Sequence, residues 1–217
     1  MSREFDGNVA NRIEPPNAYG NFPTMAAWIN LDTGPNQFVC GKWDTGAFAG
    51  NGQNAQLVIN ASQKVLFAVN VPPILTVTGA TTVTLSGWHH VAGSYDGFTL
   101  RAYLDGAIDG STSPGAGFTT NLAATWRIGV NKGEAAAFDG KIADVGFWER
   151  ALLPAEVASL AGGTSPSRIT HGLLSHCPLW GVDNPELDLR LGSATIQGTV
   201  PGSQDHPFVG SPWSAAG

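Results

Sequence analysis

The chain has 217 residues, among them 28 glycines and 14 prolines, and only 13% of its residues are charged. Many turn residues with few charges are typical of an all-β protein, and this length suits one β-sandwich domain with or without an appendage. The formal charge of −6, without any Lys/Arg cluster, argues against nucleic acid and anionic membranes as partners. No apolar run approaches the roughly 18 residues of a membrane-spanning helix.

Two features of the sequence bear on the compartment in which the protein resides: its N-terminus and its cysteines. The chain enters its first predicted strand directly after Met1, which leaves no room for a secretory signal. Either a signal has been removed and the protein is extracellular, or the protein is made in a host cytoplasm and released by lysis, as a virion component is. Cys40 and Cys177 are predicted to be two free, buried thiols, with a single disulfide as the alternative.

The first half of the chain reads as a series of short strands. Residues 3–14 form an opening strand that Pro15 ends, and residues 25–31 form a buried strand. Residues 38–43 follow, and a Gly/Asn-rich loop over 44–54 is a candidate ligand loop because such loops lie on the surface.

The central stretch 87–111 predicts an antiparallel meander. Its three strands are separated by Asp96-Gly97 and Asp105-Gly106, and Asp-Gly favours tight hairpin turns because glycine adopts positive φ without strain. Apolar residues alternate with polar ones between the turns, so Leu100, Ala102 and Leu104 are expected inside and Arg101 and Tyr103 outside.

The C-terminal quarter predicts a short helix, a linker and an extension. Pro154 suits a first helical position, and Leu153 is a poor N-cap, so a helix over 154–160 must depend on docking Val157 and Leu160. We therefore divide the chain into a sandwich over 1–162 and a linker with extension over 163–217. The extension either completes the sandwich or reaches a neighbouring subunit as an assembly arm; in the second case, deletion of 168–217 would leave the sandwich folded.

Three motifs in order carry a family resemblance. They are the Phe-Asp-Gly of residues 5–7, the stretch Trp-His-His-Val-Ala from 88 with the Tyr-Asp-Gly and Tyr-Leu-Asp-Gly that follow it, and the stretch 138–148 with Arg-Ala-Leu after it. Together they resemble the laminin-G-like, concanavalin A-like jelly-roll domains, including those of tailed-phage virion proteins. The resemblance implies an all-β sandwich of two antiparallel sheets, roughly a dozen strands in all, with one short helix. It does not imply a function, because this fold serves several.

The resemblance also implies a metal site. Many sandwiches of this type bind a structural Ca²⁺ between the first and last strands, and the matching positions here are Asp6, the Gly7 carbonyl and Asp144. The alternative is that Asp6 and Asp139 are only turn residues before glycine. Hydrolases of this fold carry alternating carboxylates on one strand, and since no such triplet occurs, we expect no enzyme activity.

A sugar site would need an exposed aromatic beside amide or charged groups. Trp43 with Asp44, and Arg101 with Tyr103, fit that pattern, whereas Trp28, Trp88 and Trp148 lie in strand contexts and are predicted to be core. The favoured hypothesis is a non-enzymatic virion surface protein of a tailed phage, a head decoration or tail-associated subunit, that contacts other virion proteins or its own copies as a homo-oligomer. The alternative is a free carbohydrate-binding module or lectin for surface glycans, with calcium dependence left open.

Overall fold

The computed structural model describes residues 1–16, 24–34, 36–43, 55–70, 74–113, 126–131, 136–181 and 184–205. In that part the chain forms strands, one α-helix and one 3-10 helix, Pro166–Arg168. The strands up to the central meander are β1 Ser2–Asp6, β2 Arg12–Glu14, β3 Thr24–Leu31, β4 Gln37–Lys42, β5 Ala55–Ile59, β6 Val65–Val69, β7 Leu75–Thr78, β8 Trp88–Tyr95, β9 Leu100–Leu104 and β10 Ala107–Thr112. The later elements are β11 Arg127–Ile128, β12 Asp139–Trp148, α1 Pro154–Ala161, β13 Leu173–Cys177, β14 Glu186–Asp188, β15 Gly192–Gln197 and β16 Gly202–Ser203.

These strands form two antiparallel sheets packed face to face, which confirms the predicted sandwich. The first sheet has the order β10-β9-β8-β3-β12-β1-β16, with β13 also paired to β12. The second has the order β14-β15-β2-β11-β4-β5-β6-β7. Sixteen strands are described rather than about a dozen, because the stretch 3–14 divides into β1 and β2 in opposite sheets and the C-terminal extension adds four strands.

The core lies between the sheets and follows the period of two. Met25, Ala27, Ile29 and Leu31 of β3 point inward with 1% exposure or less, while the residues between them belong to the outer face. Close contact between the sheets requires Gly93, because a Cβ there would come within 2.2 Å of the Phe67 ring. The core is therefore shaped by a glycine opposite an aromatic residue.

Both predicted Asp-Gly turns are present. Asp105 and Gly106 have φ of 50° and 83°, the positive values that a tight hairpin between β9 and β10 needs. The carboxylate of Asp96 accepts hydrogen bonds from the backbone N–H groups of Phe98 and Thr99, which holds the turn between β8 and β9. Both cysteines are free and buried, as predicted.

The described part of the C-terminal extension pairs with the body of the sandwich. β13 lies beside the second half of β12, β15 beside β2, and β16 beside β1. Strands from the extension therefore complete both sheets, the last of them being β16, which ends at Ser203. Among the described residues we find no helix with the length and apolar character that crossing a bilayer would require.

Candidate functional site

The outer face of the first sheet is divided into two halves, and the helix covers one of them. Val157 and Leu160 of α1 are buried there, as predicted, and α1 is packed closely enough that a Cβ on Gly106 would lie 2.9 Å from the Ala161 Cβ. The cluster under the helix consists of Ala26, Ala92, Tyr103, Trp148, Leu152, Val157, Leu160 and Leu173. This half is a second small core, not a binding surface.

The other half presents two rows of side chains that cross neighbouring strands. The first row, from β1 to β8, consists of Glu4, Lys141, Asn30 and Trp88. The second row consists of Ala143, Trp28 and His90. We call the surface formed by these rows, with Asp105 and Asp205 at its margin, the Trp28–Trp88 face. Residues paired directly across strands share a side of the sheet, so the rows follow from the strand register.

Two indole rings dominate this face. Trp28 and Trp88 are both half-buried, and their positions on β3 and β8 make them diagonal neighbours across the strand pair. The Trp28 ring meets the imidazole of His90 edge to face, with 5.4 Å between ring centroids and 68° between planes. The aromatic surface is therefore held in place by its neighbours.

Two buried polar atoms on this face lack hydrogen bonds. Within the part of the chain that the structure describes, neither Asn30 Oδ1 nor His90 Nδ1 has a partner. Asn30 is 6% exposed and His90 2%. A buried polar atom without a partner costs about 1–3 kcal/mol, so such atoms in native proteins call for an explanation, such as a ligand or water.

The charge state of His90 follows from its burial. Burial lowers the pKa of His90 to about 4, and the nearby carboxylates of Asp105 and Asp144 oppose that shift. The imidazole is therefore neutral at pH 7, with one nitrogen as donor and the other as acceptor.

Asp205 lies at the margin of the Trp28–Trp88 face. The Trp88 indole Nε1 donates to Asp205 Oδ1 at 3.1 Å, and the Ser2 hydroxyl donates to the Asp205 carbonyl at 2.8 Å. Lys141 Nζ lies 3.8 Å from Asp205 Oδ2. The chain thus reaches this face at its last described residue, Asp205, and residues 206–217 of the C-terminal extension lie outside the described residues.

The structure does not bring the predicted sugar-binding residues together. Trp43 is 6% exposed and packs against Phe38 and Ala68 on the second sheet, while Asp44 lies outside the described residues. The expectation that Tyr103 is an exposed aromatic is wrong, because α1 covers it. Arg101 is half-buried and its Nη1 donates to Asp96 Oδ2 at 2.6 Å.

The predicted calcium ligands are also separated. Asp6 pairs with Asp139 at one end of β1, five residues along β12 from Asp144, which corresponds to about 16 Å in a strand. Asp6 Oδ1 accepts hydrogen bonds from the Asn11 side-chain amide and from the Asn8 N–H, which lowers the pKa of Asp6. Gly7 forms the exposed turn after β1 with φ of 73°.

Asp144 occupies different surroundings from those expected. It sits at a bulge of β12 with φ of 48°, and its Oδ1 lies 3.2 Å from Nε2 of the buried His176. The described residues contain no group of three or more His, Cys, Asp or Glu side chains that could hold a metal ion. The three carried-over residues therefore do not form one ligand set, and calcium binding stays a prediction.

Sequence reasoning missed the Trp28–Trp88 face although its signal was present. Residues two apart on a strand point to the same side, so Trp28 shares a side with the polar Asn30 and not with Met25, Ala27 and Ile29. That pattern predicts an outward-facing Trp28. The prediction that Trp28 and Trp88 are core is wrong, whereas Trp148 is buried as expected.

The fold and its lectin-like layout define a class of protein, a concanavalin A-like sandwich. Residues 7–158 match the Laminin_G_3 family model, described as the concanavalin A-like lectin/glucanases superfamily. The chain therefore belongs to this superfamily. No curated protein matches the sequence.

Solved structures with the same fold include carbohydrate-binding proteins. A proposed carbohydrate-binding protein from Bacteroides ovatus aligns over 94% of this chain with a TM-score of 0.72 and 19% identity, and the chain spans 60% of that protein. A heptameric SAP-like pentraxin from Limulus polyphemus aligns over 94% of this chain and 95% of its own, with a TM-score of 0.61 and 16% identity. The CBM40 of a Ruminococcus gnavus sialidase, bound to α2,3-sialyllactose, aligns over 72% of this chain and 100% of its own, with a TM-score of 0.52 and 17% identity. At these identities the likeness concerns the fold.

Proposed function

We propose that this protein is a non-catalytic carbohydrate-binding protein that holds a glycan on the Trp28–Trp88 face. One observation supports the proposal. Two half-buried indoles, those of Trp28 and Trp88, lie on the same face of the sheet as two buried polar atoms that have no hydrogen-bond partner, Asn30 Oδ1 and His90 Nδ1. A sugar ring offers apolar C–H groups on its faces and hydroxyls at its edge. It can thus stack on an indole while its hydroxyls supply the missing hydrogen bonds.

The neighbours of this fold also support a binding role. Among the solved structures with this fold are a proposed carbohydrate-binding protein and a CBM40 bound to sialyllactose. Small-molecule sites are commonly built from aromatic side chains with a few polar groups that set orientation, and the Trp28–Trp88 face has that composition. The proposal assigns binding alone to this face, with the glycan left chemically unchanged.

The test is a glycan array followed by calorimetry on the ligands that bind. Trp28→Ala and Trp88→Ala should each weaken binding about tenfold or more, since aromatic residues at the centre of a site contribute a large share of the binding free energy. Phe98→Ala is the matched control, because Phe98 is an aromatic residue 67% exposed in the turn between β8 and β9, outside this face. Folding of each variant is checked by circular dichroism. Wild-type affinity in all three variants would show that the glycan does not bind on the Trp28–Trp88 face.

The virion surface role is kept as a separate prediction that rests on the sequence features given above. It requires a defined assembly, whether with copies of this chain or with other virion proteins. Light scattering with calcium and with a chelator measures the solution mass, and a monomer under both conditions that also fails to co-sediment with particles would contradict the assembly role. A mass that falls on chelation would support calcium at or near an interface.

A further inference from the structure

We infer that the ligand of the Trp28–Trp88 face is a neutral or amino-bearing glycan and not an acidic one, an inference that rests on the proposed function. It comes from the charges that surround the face and from the kind of hydrogen-bonding group that its buried polar atoms need. The charges disfavour carboxylate-bearing sugars, and the Asn30 oxygen requires that the ligand group facing it be a hydrogen-bond donor.

Among the described residues, carboxylates outnumber cations around the face. Glu4 belongs to the first row, Asp205 bonds to the Trp88 indole, and Asp105 and Asp144 lie close enough to His90 to influence its titration. Asp105 is held at the edge of the face, because its Oδ1 accepts a hydrogen bond from the His90 backbone N–H at 2.9 Å and its Oδ2 lies 2.9 Å from Nδ1 of His89, which has the opposite parity to Trp88. A carboxylate on the ligand would be repelled by these groups.

The positive charges nearby are engaged by the same carboxylates. Of the described side chains in the two rows, Lys141 is the cation, and its Nζ lies 3.8 Å from Asp205. Burial lowers the pKa of the Met1 amino group, and the negative charges of Asp144 and Asp205 oppose that shift. His90 adds no positive charge at pH 7, because burial lowers its pKa to about 4. Recognition of an acidic sugar commonly uses an arginine fork or a free lysine, and the described residues of the two rows offer neither.

The unpartnered atom of Asn30 requires a donor. Asn30 Oδ1 is an amide carbonyl oxygen, which accepts hydrogen bonds and cannot donate them. An ionised carboxylate is likewise only an acceptor, so it cannot satisfy this atom. A sugar hydroxyl donates, and so does the ammonium of an amino sugar, which the surrounding carboxylates would also attract.

The experiment compares glycans that differ only in charge. The array contains matched pairs of oligosaccharides, one with and one without a terminal sialic acid or uronic acid. It also contains glucosamine oligomers. We expect binding to the neutral and amino members, and at least tenfold weaker binding to each acidic partner at 50 mM salt. The difference should shrink at 500 mM salt, where charges are screened.

Two substitutions at one position make the charge argument specific. Glu4→Lys should increase binding of the acidic members several-fold at 50 mM salt, and Glu4→Gln should have a smaller effect in the same direction. Trp28→Ala identifies whether the bound glycan occupies this face.

The outcomes separate the charge inference from the proposed function. Acidic glycans that bind the wild-type protein as tightly as their neutral partners, and that lose affinity with Trp28→Ala, would overturn the charge inference and leave the proposed function intact. Absence of binding to every glycan would overturn both the proposed function and the charge inference. Glycan binding that is as tight in Trp28→Ala as in wild type would show that the site lies elsewhere.

Discussion

Arg3 and Glu186 form a buried ion pair, although they lie 183 positions apart in the chain. Arg3 Nε is 2.6 Å from Glu186 Oε2, and the two side chains are 6% and 0% exposed. Arg3 Nη1 also donates to the Val200 carbonyl at 2.8 Å. The first strand of the sandwich is therefore joined to the C-terminal extension by charge as well as by the pairing of β1 with β16.

Glu186→Gln should lower the free energy of unfolding by about 3 kcal/mol, because it leaves the Arg3 charge buried without its counter-charge. Urea denaturation measures the effect. The double variant Arg3→Met/Glu186→Leu should be more stable than Glu186→Gln, since it removes both charges from the interior. A single variant as stable as wild type would show that the pair contributes little.

The C-terminal extension should be required for folding of the sandwich. A chain that ends at residue 167 loses the four strands from β13 to β16 and the Arg3–Glu186 pair, so we expect it to aggregate or to lack a cooperative thermal transition. The assembly-arm hypothesis carries the opposite expectation, that deletion of 168–217 leaves the sandwich folded. We replace it because β13, β15 and β16 pair with strands of both sheets. A chain that ends at residue 205 is the matched control and should melt cooperatively near the wild-type temperature. A cooperative transition in the shorter chain would contradict the prediction.

Stability should fall as the pH drops from about 6.5 to about 4, in part because of His90. The unfolded chain takes up a proton near the ordinary His value of 6.5, whereas burial lowers the pKa of His90 in the folded protein to about 4. The unfolded state thus binds more protons in this window, so the contribution is present above pH 6.5 and is lost on acidification, by roughly 3 kcal/mol. Unfolding free energies measured at pH 7, 6, 5 and 4.5 give the slope.

His90→Leu should flatten that pH profile, because a leucine side chain does not titrate. His171→Gln provides the control, since His171 is exposed and should leave the wild-type slope unchanged. Identical slopes in wild type and His90→Leu would assign the acid sensitivity to other groups.

Glu156 should stabilise the start of α1. Its carboxylate receives two hydrogen bonds from the Arg150 guanidinium and a third from the Leu153 N–H at 2.8 Å, contacts that lower its pKa. This side chain supplies the N-terminal capping that Leu153 cannot. Glu156→Gln should cost about 1 kcal/mol in thermal or urea unfolding, whereas Glu149→Gln, at an exposed position, should stay within about 0.5 kcal/mol. Equal stability of the two variants would show that docking alone holds the helix.

Local patterns in the sequence predicted much of the fold. The Asp-Gly turns, the alternation in the central meander and the helix that docks Val157 and Leu160 depend on residues close together in the chain, and the structure contains all of them. The candidate site was predicted less well. Tyr103 was expected outside because its parity points away from the core, which is correct for the sheet. However, α1, which begins 51 residues later in the chain, at Pro154, covers it.

The resemblance of three sequence motifs indicated the family and with it the sandwich of two antiparallel sheets. Turn chemistry and a period of two indicated the hairpin turns and the inward parity of the central meander, because these are local properties. Only the tertiary structure decided which outward residues stay accessible. That depends on contacts between distant segments: α1 covers one half of the first sheet, and the strand register aligns Trp28, Trp88, Asn30 and His90 on the other. It also depends on Asp205, which the pairing of β16 with β1 brings to the same face. Such contacts are set by packing across the whole chain, and no window of sequence contains them.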